Sequence, residues 1–347
     1  MSADQNNLDK MRRQMLLGAA SLPFAGYSSL ALAQNAVELK ISHQFPGGTL
    51  TQGDFRDRLS RKFALEVEKR SKGSMKIQVY PGSSLMKTNA QFGAMRKGAL
   101  DLGLVPLPYA GGEVAEANVA LMPALVTNYE QAMKWKSAEC GALLAKTLES
   151  KGIVILSWIW QAGGVASRGK PIIDPDDARG MKIRGGSREF DMMLKAAGAS
   201  VISLPSNEIY AAMQTGAMDA AYTSSTSFIS FKLEELTKSF TSARKQSYWF
   251  MLEPLMMSKQ IFDSLTPAQR DILMAVGADM EKFGYDAAKA DDKLVASIYG
   301  KAGSKIYDLE NSSIAKWQTI ASQTAWKDFG ERNENCAAIL KAAQKLL

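Results

Sequence analysis

Histidine is nearly missing from this chain: His43 is the only one in 347 residues, and cysteine occurs twice, at Cys140 and Cys336. One histidine excludes any metal site that needs two imidazole ligands from one chain. It also leaves Ser-His-Asp or Cys-His chemistry resting on a residue of SHQFPGG, and no nucleophile elbow occurs anywhere. Two cysteines cannot build a zinc site alone. Both lie in helical patterns, SAECGALLAKTL and ENCAAILKAAQKLL, which suit a disulfide of an exported protein and a pair of small buried thiols equally well. There is no Gly-rich phosphate loop and no basic stripe interleaved with aromatics, so neither a bound cofactor nor nucleic acid is expected. After residue 33 no run approaches the ~18 apolar residues of a membrane-spanning helix.

What is present is ordinary in bulk: 46% hydrophobic and 22% charged residues, as in soluble globular proteins. The length suits two lobes. Residues 1–33 stand apart. Lys10, Arg12 and Arg13 precede a small-residue apolar run from Met15 that ends Ala31-Leu32-Ala33, the pattern of an export signal with an A-x-A cleavage site. The Arg12-Arg13 pair leaves the general secretory and twin-arginine routes both open. Cleavage would remove three basic and two acidic residues, lowering the net charge from +7 to +6. That moderate positive charge suits an anionic solute.

The mature chain alternates strand and helix. VELKISH, MKIQVYP and LDLGLVPLPY read as strands separated by helical spacing in DFRDRLSRKFALEVEKRSKG and near Asn89 to Lys97, a β-α-β-α-β order that implies a mostly parallel sheet. GIVILSWIWQ then runs into Gly163-Gly164, and a second unit follows: MKIRG, a helix from Ser187 to Ala197, VISL, a helix from Ser206 to Thr215, and MDAAYTS. SYWFMLEPLMMS returns between the halves. Thr266-Pro267 with Gln269 forms a capping-box pattern that opens a long helix able to span both lobes. The expected architecture is therefore two-lobed α/β, with hinge strands. Lobe I takes residues 36–161 and about 252–300, and lobe II takes 162–251 and about 301–347.

Ligands of open α/β sheets bind beyond the carboxyl ends of the strands. Arg184, Gln44, Tyr222 and Thr223 all fall at such ends. A guanidinium is always charged and offers a planar fork that matches a carboxylate, so Arg184 is the leading anion clamp.

Several motifs in order, EVEKRSKGSMKIQVYPGSSL, MRKGALDLG, MKIRGG and LPSNEIYAAMQTGAMDA, resemble the solute-binding proteins of tripartite ATP-independent periplasmic (TRAP) transporters over nearly all of the mature chain. The resemblance implies a two-lobed periplasmic receptor, not an enzyme, that binds an organic acid anion and delivers it to a membrane permease. It implies further that Arg184 holds the carboxylate and that Thr223 stands at a polar position reaching it. Two departures bear on the ligand. Tyr222 replaces an acidic residue, and the place of a second arginine in sialate-type members falls in Gly163-Gly164. One clamp, with Trp160 and Tyr222 alongside, points to a monocarboxylate with an apolar or aromatic body, such as an aromatic or a 2-oxo or 2-hydroxy acid. Glu208 with Tyr210 is the sole acid/base pair on which an enzyme acting on an organic acid could be built, and a receptor serving a sensor is the remaining alternative.

Overall fold

The computed structural model describes residues 36–347, so the proposed export leader lies outside the described residues. The chain has two lobes, each built around one sheet. In the first, β1 (Val37–His43), β2 (Met75–Tyr80) and β3 (Leu102–Leu104) are parallel, joined by α1 (Phe55–Arg70) and α2 (Gln91–Arg96). Helices α3 (Tyr129–Lys134) and α4 (Glu139–Ser150) lead to β4 (Ile153–Ser157), and with a later strand, β11 (Leu255–Ser258), the order is β2-β1-β3-β11-β4.

The second sheet begins with β5 (Trp160–Ser167) and takes up β6 (Lys182–Arg184), α5 (Arg188–Ala196), β7 (Ser200–Val201), α6 (Ile209–Gln214), β8 (Ala220–Ser224), α7 (Ser225–Ser230) and β9 (Ser239–Ser242). β10 (Trp249–Leu252) pairs with β5, and the chain then crosses back through Glu253-Pro254 to β11 (Leu255–Ser258) of the first sheet. After α8 (Lys259–Ser264) comes α9 (Pro267–Lys301), 35 residues long, packed on α1, β4, α7, β5 and β9 and so on both lobes. Its start carries the expected capping box: Thr266 Oγ1 accepts from Gln269 N and Gln269 Oε1 accepts from Thr266 N. β12 (Lys305–Asp308) completes the second sheet, ordered β12-β9-β5-β8-β6-β7, before α10 (Asn311–Ala321), α11 (Lys327–Arg332) and α12 (Glu334–Gln344).

Two strands are shorter than their sequence suggests. In LDLGLVPLPY the ladder stops at Leu104, because Pro106 and Pro108 have no N–H to donate, and a short 3-10 turn, Leu107–Ala110, follows. At VISL the strand covers only Ser200–Val201, with Ile202 N making a last bond to Ile183 O (3.0 Å); the carbonyl of Leu204 is turned to Arg184 instead. Cys140 and Cys336 lie on the packed helices α4 and α12 as buried free thiols, and burial pushes them up to about 11 and about 12. Such thiols are unreactive at neutral pH.

Candidate functional site

Arg184 ends β6 with a side chain that is 2% exposed. Its Nε donates to Leu204 O (3.1 Å), Nη1 to Tyr222 O (2.8 Å) and Nη2 to the Tyr109 hydroxyl (2.9 Å). A guanidinium has five N–H groups, so one hydrogen on each terminal nitrogen is left over. Among the described residues no carboxylate lies within 4.0 Å of it to form an ion pair. A charge buried with only neutral acceptors is costly, and an anion relieves that cost. The acid that senses it is Asp191: burial pushes this carboxyl up to about 6, while the charge of Arg184 and the Gly185 N–H act the other way.

The glycines of MKIRGG make room for this arrangement. Gly186 has φ +105°, and a Cβ there would stand 2.7 Å from Arg184 Nη1. Any side chain at Gly186 would therefore meet both backbone strain and the guanidinium.

Tyr109 was missed in the sequence, where it reads as the tail of a strand. Its hydroxyl accepts from Arg184 and from Ser206 N (2.9 Å), so it ties the lobe of β3 to the lobe of β6 at the arginine. Nearby, Ser187 Oγ donates to Leu121 O (3.1 Å). Beside them opens a cavity of about 600 Å³, with Tyr109, Asn89 and Asn118 on one wall and Gly186, Ser187 and Leu204 on the other. Tyr109, Gly186 and Leu204 separate this cavity from Arg184, which is not itself among its walls. Tyr109→Phe should weaken ligand binding about 5-fold and cost about 1 kcal/mol of stability, the worth of a typical hydrogen bond. Calorimetry and urea melts read both, and unchanged affinity would reduce the phenol to filler.

The other sequence-derived residues are placed as follows. Thr223 is buried one position beyond Tyr222 on β8, opposite Gly164. The Tyr222 ring lies inside the lobe, 4.9 Å from Phe190 and hydroxyl to hydroxyl with Tyr248 (2.6 Å); what it presents to Arg184 is its carbonyl. Gln44 is 3% exposed, and neither atom of its amide has a partner among the described residues. Trp160 packs against Trp135 (5.2 Å between ring centroids), and its Nε1 is likewise buried without a partner. Neither Gln44 nor Trp160 bonds to Arg184. Buried polar atoms without partners are uncommon in folded proteins and are groups that a polar ligand can satisfy.

His43 is neither exposed nor in a loop. It closes β1, fully buried, with Nε2 3.2 Å from Asp57. Asp219 accepts from Lys182 N (2.8 Å) and so orders local backbone. Tyr210 donates to Glu235 (2.7 Å), and no hydrogen bond joins it to Glu208, so the one candidate acid/base pair is not assembled.

Gly163 and Gly164 have a steric cause. A Cβ on Gly163 would lie 2.2 Å from Thr223 O and 2.3 Å from the Trp249 ring, and one on Gly164 2.2 Å from Thr241 O. Trp249 is fixed by its Nε1 bond to Gly185 O (2.9 Å). The space a second arginine would leave from is taken.

The profile of the bacterial extracellular solute-binding proteins of family 7 matches residues 49–333. A solute-binding protein of Albidiferax ferrireducens is 66% identical over 341 residues, covering 97% of this chain and 99% of the relative. The crystal structure of a TRAP periplasmic solute-binding protein from Rhodoferax ferrireducens with bound malonate is 68% identical, covers 89% of this chain and 98% of that one, and superposes with a TM-score of 0.88. A C4-dicarboxylate-binding periplasmic protein of Rhodobacter capsulatus is 27% identical over 309 residues, covering 88% of this chain and 90% of the relative.

Proposed function

Because the chain belongs to the bacterial extracellular solute-binding proteins of family 7, and so is a solute receptor and not an enzyme, we propose that it captures a small organic acid anion between its lobes through Arg184. It is a periplasmic receptor of the TRAP type, which works with a membrane permease. The observation that carries the clamp is a buried guanidinium with two N–H groups to spare and no carboxylate partner. The Tyr222 carbonyl orients it, and Thr223, the next residue of β8, is the hydroxyl that would join it at the carboxylate. The Gln44 amide and the Trp160 indole N–H are neutral groups that would complete the polar shell.

This set has one cation, so it favours an acid of which a single carboxylate is clamped. The relative bound to malonate fits that description if its second carboxylate meets neutral donors. The bulkier aromatic acids are the other members of the class. Titration with malonate, its half-amide and its diamide separates the cases. The half-amide should keep most of the affinity and the diamide should lose it. Equal loss for half-amide and diamide would mean two clamped carboxylates and would refute the single-clamp reading.

A further inference from the structure

Both strand-to-strand crossings between the lobes meet at one buried carboxylate. Trp158-Ile159 joins β4 to β5, Glu253-Pro254 joins β10 to β11, and Glu253 N donates to Ile159 O (2.8 Å). The Glu253 side chain is fully buried there. Its Oε2 accepts from Gln161 Nε2 on β5 and from Arg56 Nη1 on α1 (3.3 Å), while Oε1 has no partner among the described residues. Arg56, 1% exposed, also grips Asp54 through two bonds of 2.9 and 2.7 Å. The same guanidinium donates to Ser227 (3.1 Å) at the start of α7 in the second lobe, and lies 3.5 Å over the ring of Phe45, next to Gln44. From α9, Asp291 adds a further acid that feels Asp54, Arg56 and Arg58.

The charges do not balance. One guanidinium serves two carboxylates, Asp54 holds it in the better geometry, and Glu253 keeps one oxygen without a donor in a site closed to water. Burying an ionised carboxylate so incompletely paired is expensive, whereas a neutral one is tolerated. We infer that Glu253 is a positioning residue whose neutral form favours lobe closure, so that closing the lobes takes up a proton at the hinge. The inference rests on the receptor reading only in requiring that the lobes close; it does not require Arg184 to be the clamp.

Burial pushes Glu253 up to about 7 from an ordinary value of 4.5, with Arg56 opposing and Asp54 adding to the rise. The sign follows directly. On the premise that parting the lobes returns Glu253 to its ordinary value, its neutral form favours closure fully below that value, and the contribution is lost as pH climbs through about 7. Between pH 6 and pH 8 this linkage amounts to roughly 10-fold in the closing equilibrium.

The test uses Glu253→Gln, which is permanently neutral and of the same size. Malonate titrations in buffers of different ionisation enthalpy at pH 7 should show proton uptake in the unmodified protein that is absent in the variant. The unmodified protein should also lose ~10-fold in affinity from pH 6 to pH 8, while Glu253→Gln stays flat and tight. Spin labels on Glu38→Cys and Lys195→Cys, one exposed site per lobe, read closure with no ligand; Cys140 and Cys336 are too buried to compete. Lobes further apart at pH 8 than at pH 6, with Glu253→Gln resembling the pH 6 state throughout, support the inference. A variant that keeps the parent's pH dependence overturns it and transfers the titration to another buried acid such as Asp292, pushed up to about 7 by burial. Should malonate fail to bind the unmodified protein, the ligand reading falls, and the label distances still decide the role of Glu253.

Discussion

Arg184→Ala is expected to abolish high-affinity binding of malonate. Removing one partner of a buried, hydrogen-bonded charge pair costs about 2–5 kcal/mol, which is roughly 30- to 4,000-fold in Kd. Stability should change much less. The variant loses the bonds to Leu204 O, Tyr222 O and Tyr109, but it also removes a charge that no carboxylate balances in the unliganded protein, and these effects oppose each other. Arg184→Lys keeps the charge without the planar fork and should fall between the two, because an ammonium cannot bridge both oxygens of a carboxylate in one plane. Calorimetry measures the binding loss and urea melts measure the stability. Affinity within 3-fold of the parent in both variants would remove Arg184 from the site.

The second large effect is on folding. Gly164→Arg installs an arginine in the Gly163-Gly164 segment, the place at which the resemblance to sialate-type members puts a second clamp. The structure predicts damage instead. A Cβ at this position would stand 2.2 Å from the Thr241 carbonyl of β9, a backbone atom that can yield only if β5 and β9 part. Overpacking against side chains costs about 1–3 kcal/mol, and backbone gives way less easily, so a loss above ~3 kcal/mol is expected. That is a large share of the 5–15 kcal/mol typical of a folded domain. A stably folded Gly164→Arg protein with new affinity for a dicarboxylate would show that this part of β5 is more pliable than its packing indicates.

Much of this was legible from residues alone. Alternation and helical spacing located the α/β units, and the capping box at Thr266 marked the start of α9, because these signals are local. Arg184 could be singled out because a short strand places its side chain at a carboxyl end. Tyr109 could not, since two prolines convert a strand-like segment into a turn and only the tertiary crossing brings its hydroxyl to Arg184. Arg56 was hidden for a different reason. In DFRDRLSRK it is one charge among many on a helix, and such charges are usually solvated. Its burial follows from where α1 lands relative to Phe45, Glu253 and α7, which no local pattern encodes. Tyr222 illustrates the converse: its position on β8 is readable, but the direction of its ring is set by Phe190 and Tyr248 from other elements.

The claim on which the account stands is that Arg184 alone holds the carboxylate of the ligand. A crystal structure of this protein grown with malonate tests it most directly. The prediction is one carboxylate bridging Nη1 and Nη2 of Arg184 at ~2.8 Å, with the other carboxylate among neutral donors. Malonate bound elsewhere in the cleft, with Arg184 still bonded only to Leu204, Tyr222 and Tyr109, would contradict it.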